Sequence, residues 1–153
     1  MVEFVPTGDL KQKFFFNVST PVGAGAKGSS RADILLVQFY FVLKHDIDGK
    51  DRELYRKITL TGVCDENLIA GIRAFQASHA DRLVQDGLVS RAQGTRFSAG
   101  PGWRFWTIVG MNFSLLAYGC PVWPRLDQHP KCRSGELGQA IRKAVGAVPP
   151  SQQ

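Results

Sequence analysis

The stretch from Gly62 to Gln76 constrains this chain more than any other segment. Gly62 stands where a tight turn needs a positive φ or a close backbone approach. Asp65 follows as a natural N-cap, with a short side chain able to accept a helix-start N–H. Leu68, Ile69, Ile72 and Phe75 then recur at three- and four-residue steps, which predicts a helix with Ile72 and Phe75 turned to a core. Gln76 brings two amide donors and an acceptor, enough to tie the backbone of a neighbouring loop. A second such corner is expected at Asp86-Gly87.

Further elements arrange themselves around this one. Lys13 to Ser19 is aromatic and β-branched and closes at Pro21, so it reads as a strand covering part of the core. Gly23 to Ser30 is small and flexible in character and reads as a linker. Ser30 and Asp33 resemble a capping box, with Asp in place of the usual Glu. Beyond them Ile34, Val37, Tyr40, Phe41 and Leu43 predict an amphipathic helix that stops near His45. Tyr55 to Val63 alternates weakly, as a short extended segment does. A third long helix is expected from about Arg104 to Tyr118, stopped by Gly119. Cys120 to Pro124 reads as extended, and Ser134 to Ala147 as a last short helix with Leu137, Ile141 and Val145 on one face. The tail from Val148 to Gln153 has no apolar face to bury.

A chain of 153 residues with 44% hydrophobic and 21% charged residues can bury one domain's core. Its net charge of +6 favours anionic partners, but the basic residues are scattered and form no polybasic arm. The N-terminus lacks the basic and apolar regions of a secretory leader, and no run of apolar residues is long enough to span a membrane. Synthesis in the cytoplasm without a signal peptide is expected. Three cysteines (Cys64, Cys120 and Cys132) cannot all pair within one chain, which fits reduced thiols; a Cys120–Cys132 bond stays open for an oxidising setting.

Gly62 to Gln76, taken with three other blocks, resembles the signature of peptidoglycan-binding domains. The family pattern runs through a glycine turn, a helix start, and then Ala70, Ile72, Arg73, Ala74 and the pair Phe75-Gln76 as they stand here. Asp33 to Tyr40 resembles the family's first helix, Asp86-Gly87-Leu88-Val89-Ser90 its second Asp-Gly turn, and Trp106 to Asn112 its third helix. The blocks keep the family's order over about 90 residues, from Ser30 to Tyr118. Thr61, Asp65 and Leu68 depart from the usual Asp, Gly and Thr, and the loop from Gln93 to Gly102 is long.

The resemblance implies a mainly α fold: a three-helix peptidoglycan-binding-like bundle with short edge strands and an N-terminal strand or arm. The corresponding division is an N-terminal strand and linker over 1–29, the three-helix domain over 30–118 and a C-terminal extension over 119–153. It also implies a ligand groove formed by Arg73, Gln76, Asp86, Gly87, Trp103 and Arg104, with contributions from the Asp86–Ser90 turn and the Gln93–Gly102 loop.

Catalytic and metal chemistry find little footing. Asp46-Ile47-Asp48-Gly49 has the flavour of a calcium loop, but Lys44 and Tyr55 fall where its first and last carboxylates belong. In Gly23 to Ser30, Lys27 precedes Gly28 instead of following it, so a phosphate loop is disfavoured. Cys120, His129 and Cys132 offer three zinc ligands without a well-spaced fourth. There is no His-Glu-x-x-His or His-x-His motif and no convincing Cys/His pair, so no enzyme, metal or cofactor is expected. Trp103, Phe105, Trp106 and Trp123 form an aromatic-rich region suited to sugar faces, to a protein interface or to plain burial.

These readings converge on a non-catalytic peptidoglycan-binding or cell-wall-binding module, with peptidoglycan or an anionic wall polymer as partner. The missing leader fits a component of a phage particle or a contractile injection or secretion system, made inside the cell and delivered to the wall. The alternative is a structural or protein-interaction component of a virion or secretion assembly that keeps the fold without wall binding, contacting other subunits through its ends. A nucleic-acid role ranks last, because no helix is dense in Arg, Lys, Asn or Gln.

Overall fold

The computed structural model describes residues 1–6, 14–45, 50–93, 104–117, 120, 122, 125–132 and 135–147. The Asp46–Gly49 turn, the loop over 94–103, Gly119, Trp123 and the tail over 148–153 lie outside the described residues. About half of the described chain is helical, in five helices, and two small antiparallel sheets complete a mixed α/β fold.

The chain opens with β1 (Val2–Pro6) paired antiparallel to β2 (Phe14–Val18), Val2 opposite Val18 and Phe4 opposite Phe16. Phe15, Phe16 and Val18 are fully buried. β3 (Val22–Gly23) pairs antiparallel with β4 (Leu88–Val89), so the segment expected as a linker begins as a strand. A glycine-rich composition reads as flexible, yet here Gly23 sits so close to the Gly87 carbonyl that a Cβ would lie 2.2 Å from its oxygen.

Helix α1 (Arg31–Lys44) departs from its expected amphipathic character. Every residue from Asp33 to Lys44 is buried, because β1, β3, α2, α4 and α5 surround it. Ser30 caps it, accepting the Asp33 N–H at 3.1 Å. Asp33 does not complete a reciprocal capping box. Its carboxylate turns to the preceding loop and accepts from Ser19 N–H, Ser19 O–H, Thr20 N–H and Thr20 O–H at 2.7 to 3.2 Å. The Ser30 N–H goes to Thr20 Oγ1 instead.

A one-turn helix, α2 (Arg52–Tyr55), replaces the start of the extended segment expected over 55–63, and its Tyr55 packs on Phe41. Helix α3 (Glu66–Ser78) follows the sequence rules closely. Asp65 accepts the Leu68 N–H at 2.9 Å, and Leu68, Ile72, Phe75 and Gln76 are buried on one face. Helix α4 (Thr107–Ala117) begins three residues later than expected. The residues before it run extended instead, with Phe105 bridged in parallel to Leu83 and its N–H on the Arg82 carbonyl at 2.7 Å.

Asn112 joins α4 to the rest of the core. Its Oδ1 accepts from the Phe16 N–H and the Tyr40 hydroxyl, and its Nδ2 donates to the Phe16 and Ile108 carbonyls, all within 3.1 Å. Burial holds the Tyr40 phenol well above its usual range. A 3-10 turn (Leu126–Gln128) leads to α5 (Glu136–Ala147), which lays Leu137, Ile141 and Ala144 against β1 and α1. The hairpin β1–β2, the central helices and α5 thus share one hydrophobic core.

Candidate functional site

Two glycines with positive φ, Gly62 at 70° and Gly87 at 73°, turn the chain at the ends of the helical core. A buried glutamine grips each turn. From α1, Gln38 accepts the Thr61 and Gly62 N–H groups and donates to Thr61 Oγ1 and the Val63 carbonyl. From α3, Gln76 accepts the Gly87 N–H at 2.8 Å, and its amide nitrogen lies within 3.0 Å of Asp86 Oδ1, the Leu88 carbonyl and Thr107 Oγ1. Every polar atom of the Gln76 amide is therefore engaged, and the side chain is 1% exposed. Gln76 builds the corner from beneath instead of facing a ligand.

The Gly87 corner borders a cleft of about 150 Å³ lined by Val84, Asp86, Leu88, Ser90, Trp106 and Thr107. Its lining residues bring the Asp86 carboxylate and the Ser90 and Thr107 hydroxyls together beside the Trp106 ring. Asp86 Oδ1 is committed to Gln76 and to the Leu88 N–H, which fixes the carboxylate while Oδ2 has no hydrogen bond among the described residues. The Trp106 indole N–H is buried without an acceptor among the described residues. Such a donor costs about 1–3 kcal/mol until an acceptor meets it.

The bridge between Leu83 and Phe105 explains why this wall exists. Successive side chains on an extended segment point to opposite sides. Val84 and Trp106 therefore line the polar cleft, whereas Leu83 and Phe105 line a second, apolar pocket behind it.

Of the residues expected at the groove, Arg73, Gln76, Asp86 and Gly87 come together at this corner. A Cβ on Gly87 would lie 3.2 Å from Arg73 Nε, so the exposed guanidinium stretches beside the turn, and it forms no ion pair among the described residues. Arg104 is exposed at the entry to the Phe105 bridge and is not part of the cleft lining. Trp103 lies outside the described residues. Val84 and Thr107 belong to none of the expected binding features, and Trp106 comes from the aromatic region expected to suit sugar faces, a protein interface or burial. Their signal is non-local, since it depends on residues 82–84 pairing with 104–106.

The remaining chemistry-bearing groups are dispersed. Among the described residues no three His, Cys, Asp or Glu side chains gather to hold a metal ion. Cys64, Cys120 and Cys132 are all free thiols. Burial, aided by the nearby Asp127 carboxylate, pushes the Cys132 thiol up to about 12. Burial also raises the Cys64 thiol, which lies 3.8 Å from the Gly23 carbonyl oxygen. Arg125 forms a two-pronged ion pair with Asp127 and holds that carboxyl below its usual range. No helix among the described residues is long and apolar enough to cross a membrane. Compared with protein-family models, curated proteins and solved structures, the chain shows no significant match to any of them.

Proposed function

We propose that this chain is a non-catalytic cell-wall-binding module whose helices α1, α3 and α4 form a peptidoglycan-binding-like core. In this reading it acts as a component of a phage particle or of a contractile injection or secretion system. Three features support the core assignment. Both signature glycines occupy positive φ, each is gripped by a glutamine, and Thr107 at the start of α4 bonds to the glutamine of the Phe75-Gln76 pair.

The observation that carries the binding role is the open face of the Gly87 corner. A fixed carboxylate, two hydroxyls and an indole line one cleft, and the uncommitted guanidinium of Arg73 stretches beside the turn. Hydroxyl-rich and amide-rich wall fragments match such a surface, and the basic side chain suits the carboxylates of peptide stems.

Co-sedimentation of the full chain with purified peptidoglycan tests this. Retention that falls with added salt, and falls further in Arg73→Glu, is the expected result; Arg104→Glu should weaken it less. Folded protein that stays in the supernatant at low salt overturns the wall-binding role. It would favour the second reading, a structural component of a virion or secretion assembly. That reading draws on a different feature, a cavity of about 360 Å³ between β1, Arg91 and α5, bordered by Val2, Phe4, Lys143 and Ala144.

A further inference from the structure

We propose that the pocket behind the Leu83–Phe105 bridge binds a small free carboxylic acid, as its anion, with an aromatic body. The pocket has a volume of about 190 Å³ and is walled by Leu83, Phe105, Gly110, Phe113 and Ala117. Apolar cavities of about 150 Å³ are known to accept a benzene ring. Phe113 already meets Phe105 and Phe15 edge-on, with centroids 6.0 and 4.9 Å away, so an aromatic body finds ring partners in the geometry rings favour.

The head group follows from the charges around this apolar space. At its inner end lies Ser114, whose hydroxyl oxygen accepts a hydrogen bond from Lys44 Nζ at 3.0 Å. Lys44 is buried at 4% exposure, and its ammonium also lies 5.2 Å from the Phe75 ring centroid. A hydroxyl that accepts from an ammonium is polarised toward donation, and the Ser114 proton has no acceptor among the described residues. His79 and Arg82 stand at the rim. The His79 Nδ1 lies against the Phe75 carbonyl and Ser78 Oγ, which fixes the ring, so the donor offered to an anion at the rim is Arg82. Arg82 meets Asp81 only loosely at 3.7 Å, with both side chains well exposed, and no carboxylate among the described residues lines the pocket. An apolar slot with a hydroxyl backed by one cation and rimmed by another selects a single negative head on an apolar body. A neutral aromatic gains only the burial, and a phosphate lacks partners on most of its oxygens.

This pocket is independent of the wall-binding role, because its lining shares no residue with the Asp86 cleft. Amide NMR titration of the full chain with benzoate, and separately with the neutral benzyl alcohol, tests the proposal. Benzoate should give saturable shifts at Leu83, Gly110 and Ser114, with benzyl alcohol about tenfold weaker. Arg82→Gln, an exposed and therefore harmless change, should weaken benzoate about fivefold and leave benzyl alcohol unaltered. Gly110→Ala places a Cβ 2.9 Å from Leu83 Cδ2 and should narrow the pocket against both ligands without touching retention on peptidoglycan. Equal affinity for acid and alcohol, shifts centred on Asp86 and Ser90, or no saturable shift in the folded protein each overturn it.

Discussion

At the Gly62 corner the space over the turn is filled by Arg31. A Cβ there would fall 2.5 to 2.9 Å from that side chain, whose guanidinium donates to the Thr61 carbonyl and to Glu136 of α5. At the Gly87 corner the corresponding guanidinium is Arg73, which lies beside the turn and pairs with no carboxylate among the described residues. The same device, a buried glutamine holding a left-handed glycine, therefore ends in a sealed corner on one side and an open one on the other. What differs is the cover: α5 supplies a carboxylate that locks the first cation down, whereas the second corner gives onto a cleft with a fixed carboxylate and a tryptophan. The sealed corner is explained by folding alone. The open one is the corner on which the proposed wall-binding role rests.

The largest effects should come from the two glutamines, and they test whether the corners are built alike. Gln38→Ala and Gln76→Ala each remove the partner of at least two backbone groups, buried or part-buried, and of a hydroxyl, so each should cost about 3 kcal/mol in urea denaturation. A comparison of unfolding midpoints checks this. If one variant loses less than about 1 kcal/mol, water replaces that amide and the likeness between the corners fails.

The glycines come next and separate the corners by their covers. Gly87→Ala pays the left-handed backbone penalty and meets Ala24 Cβ and Arg73 Nε at 3.2 Å, contacts that small shifts relieve. A loss of about 1 kcal/mol is expected. Gly62→Ala has the same backbone term and must also evict Arg31 from Thr61 and Glu136, so about 2 kcal/mol is expected. In a double-mutant cycle Gly62→Ala should be non-additive with Glu136→Gln, because both break one interaction. Full additivity would mean that Arg31 does not couple the first corner to α5.

Much of the corner architecture is legible in the residues, because it follows local rules. Asp65 caps α3 as its side chain dictates, Gly62 and Gly87 take the conformation other residues avoid, and Gln76 ties its loop. The failures are non-local. Helix α1 carries apolar residues between the expected ones, Leu36, Phe39 and Val42 among them, and only the surrounding strands and helices show why all its faces are buried. Gly23 reads as linker until Leu88 is placed opposite it. The cleft itself needs residues 82–84 and 104–106 side by side, a pairing that no periodicity in either segment announces. Asp33 illustrates a subtler miss: its spacing from Ser30 promises a capping box, but two hydroxyls and two N–H groups at Ser19 and Thr20 outbid one N–H at Ser30.

The smallest expected effects bear most directly on which corner is the site. Glu136→Gln removes an ion pair whose side chains are 57% and 50% exposed, so about 0.5 kcal/mol should be lost in dilute buffer. That deficit should vanish near 1 M salt, where charges are screened within about 3 Å. Arg73→Gln should leave the unfolding midpoint unchanged at any salt, since its guanidinium holds no carboxylate among the described residues. The contrast matters because an exposed cation that contributes nothing to stability is free to act on something outside the chain. Should Arg73→Gln instead destabilise the protein by more than about 1 kcal/mol, Arg73 would be a cover like Arg31, and the Gly87 corner would lose its claim to be open.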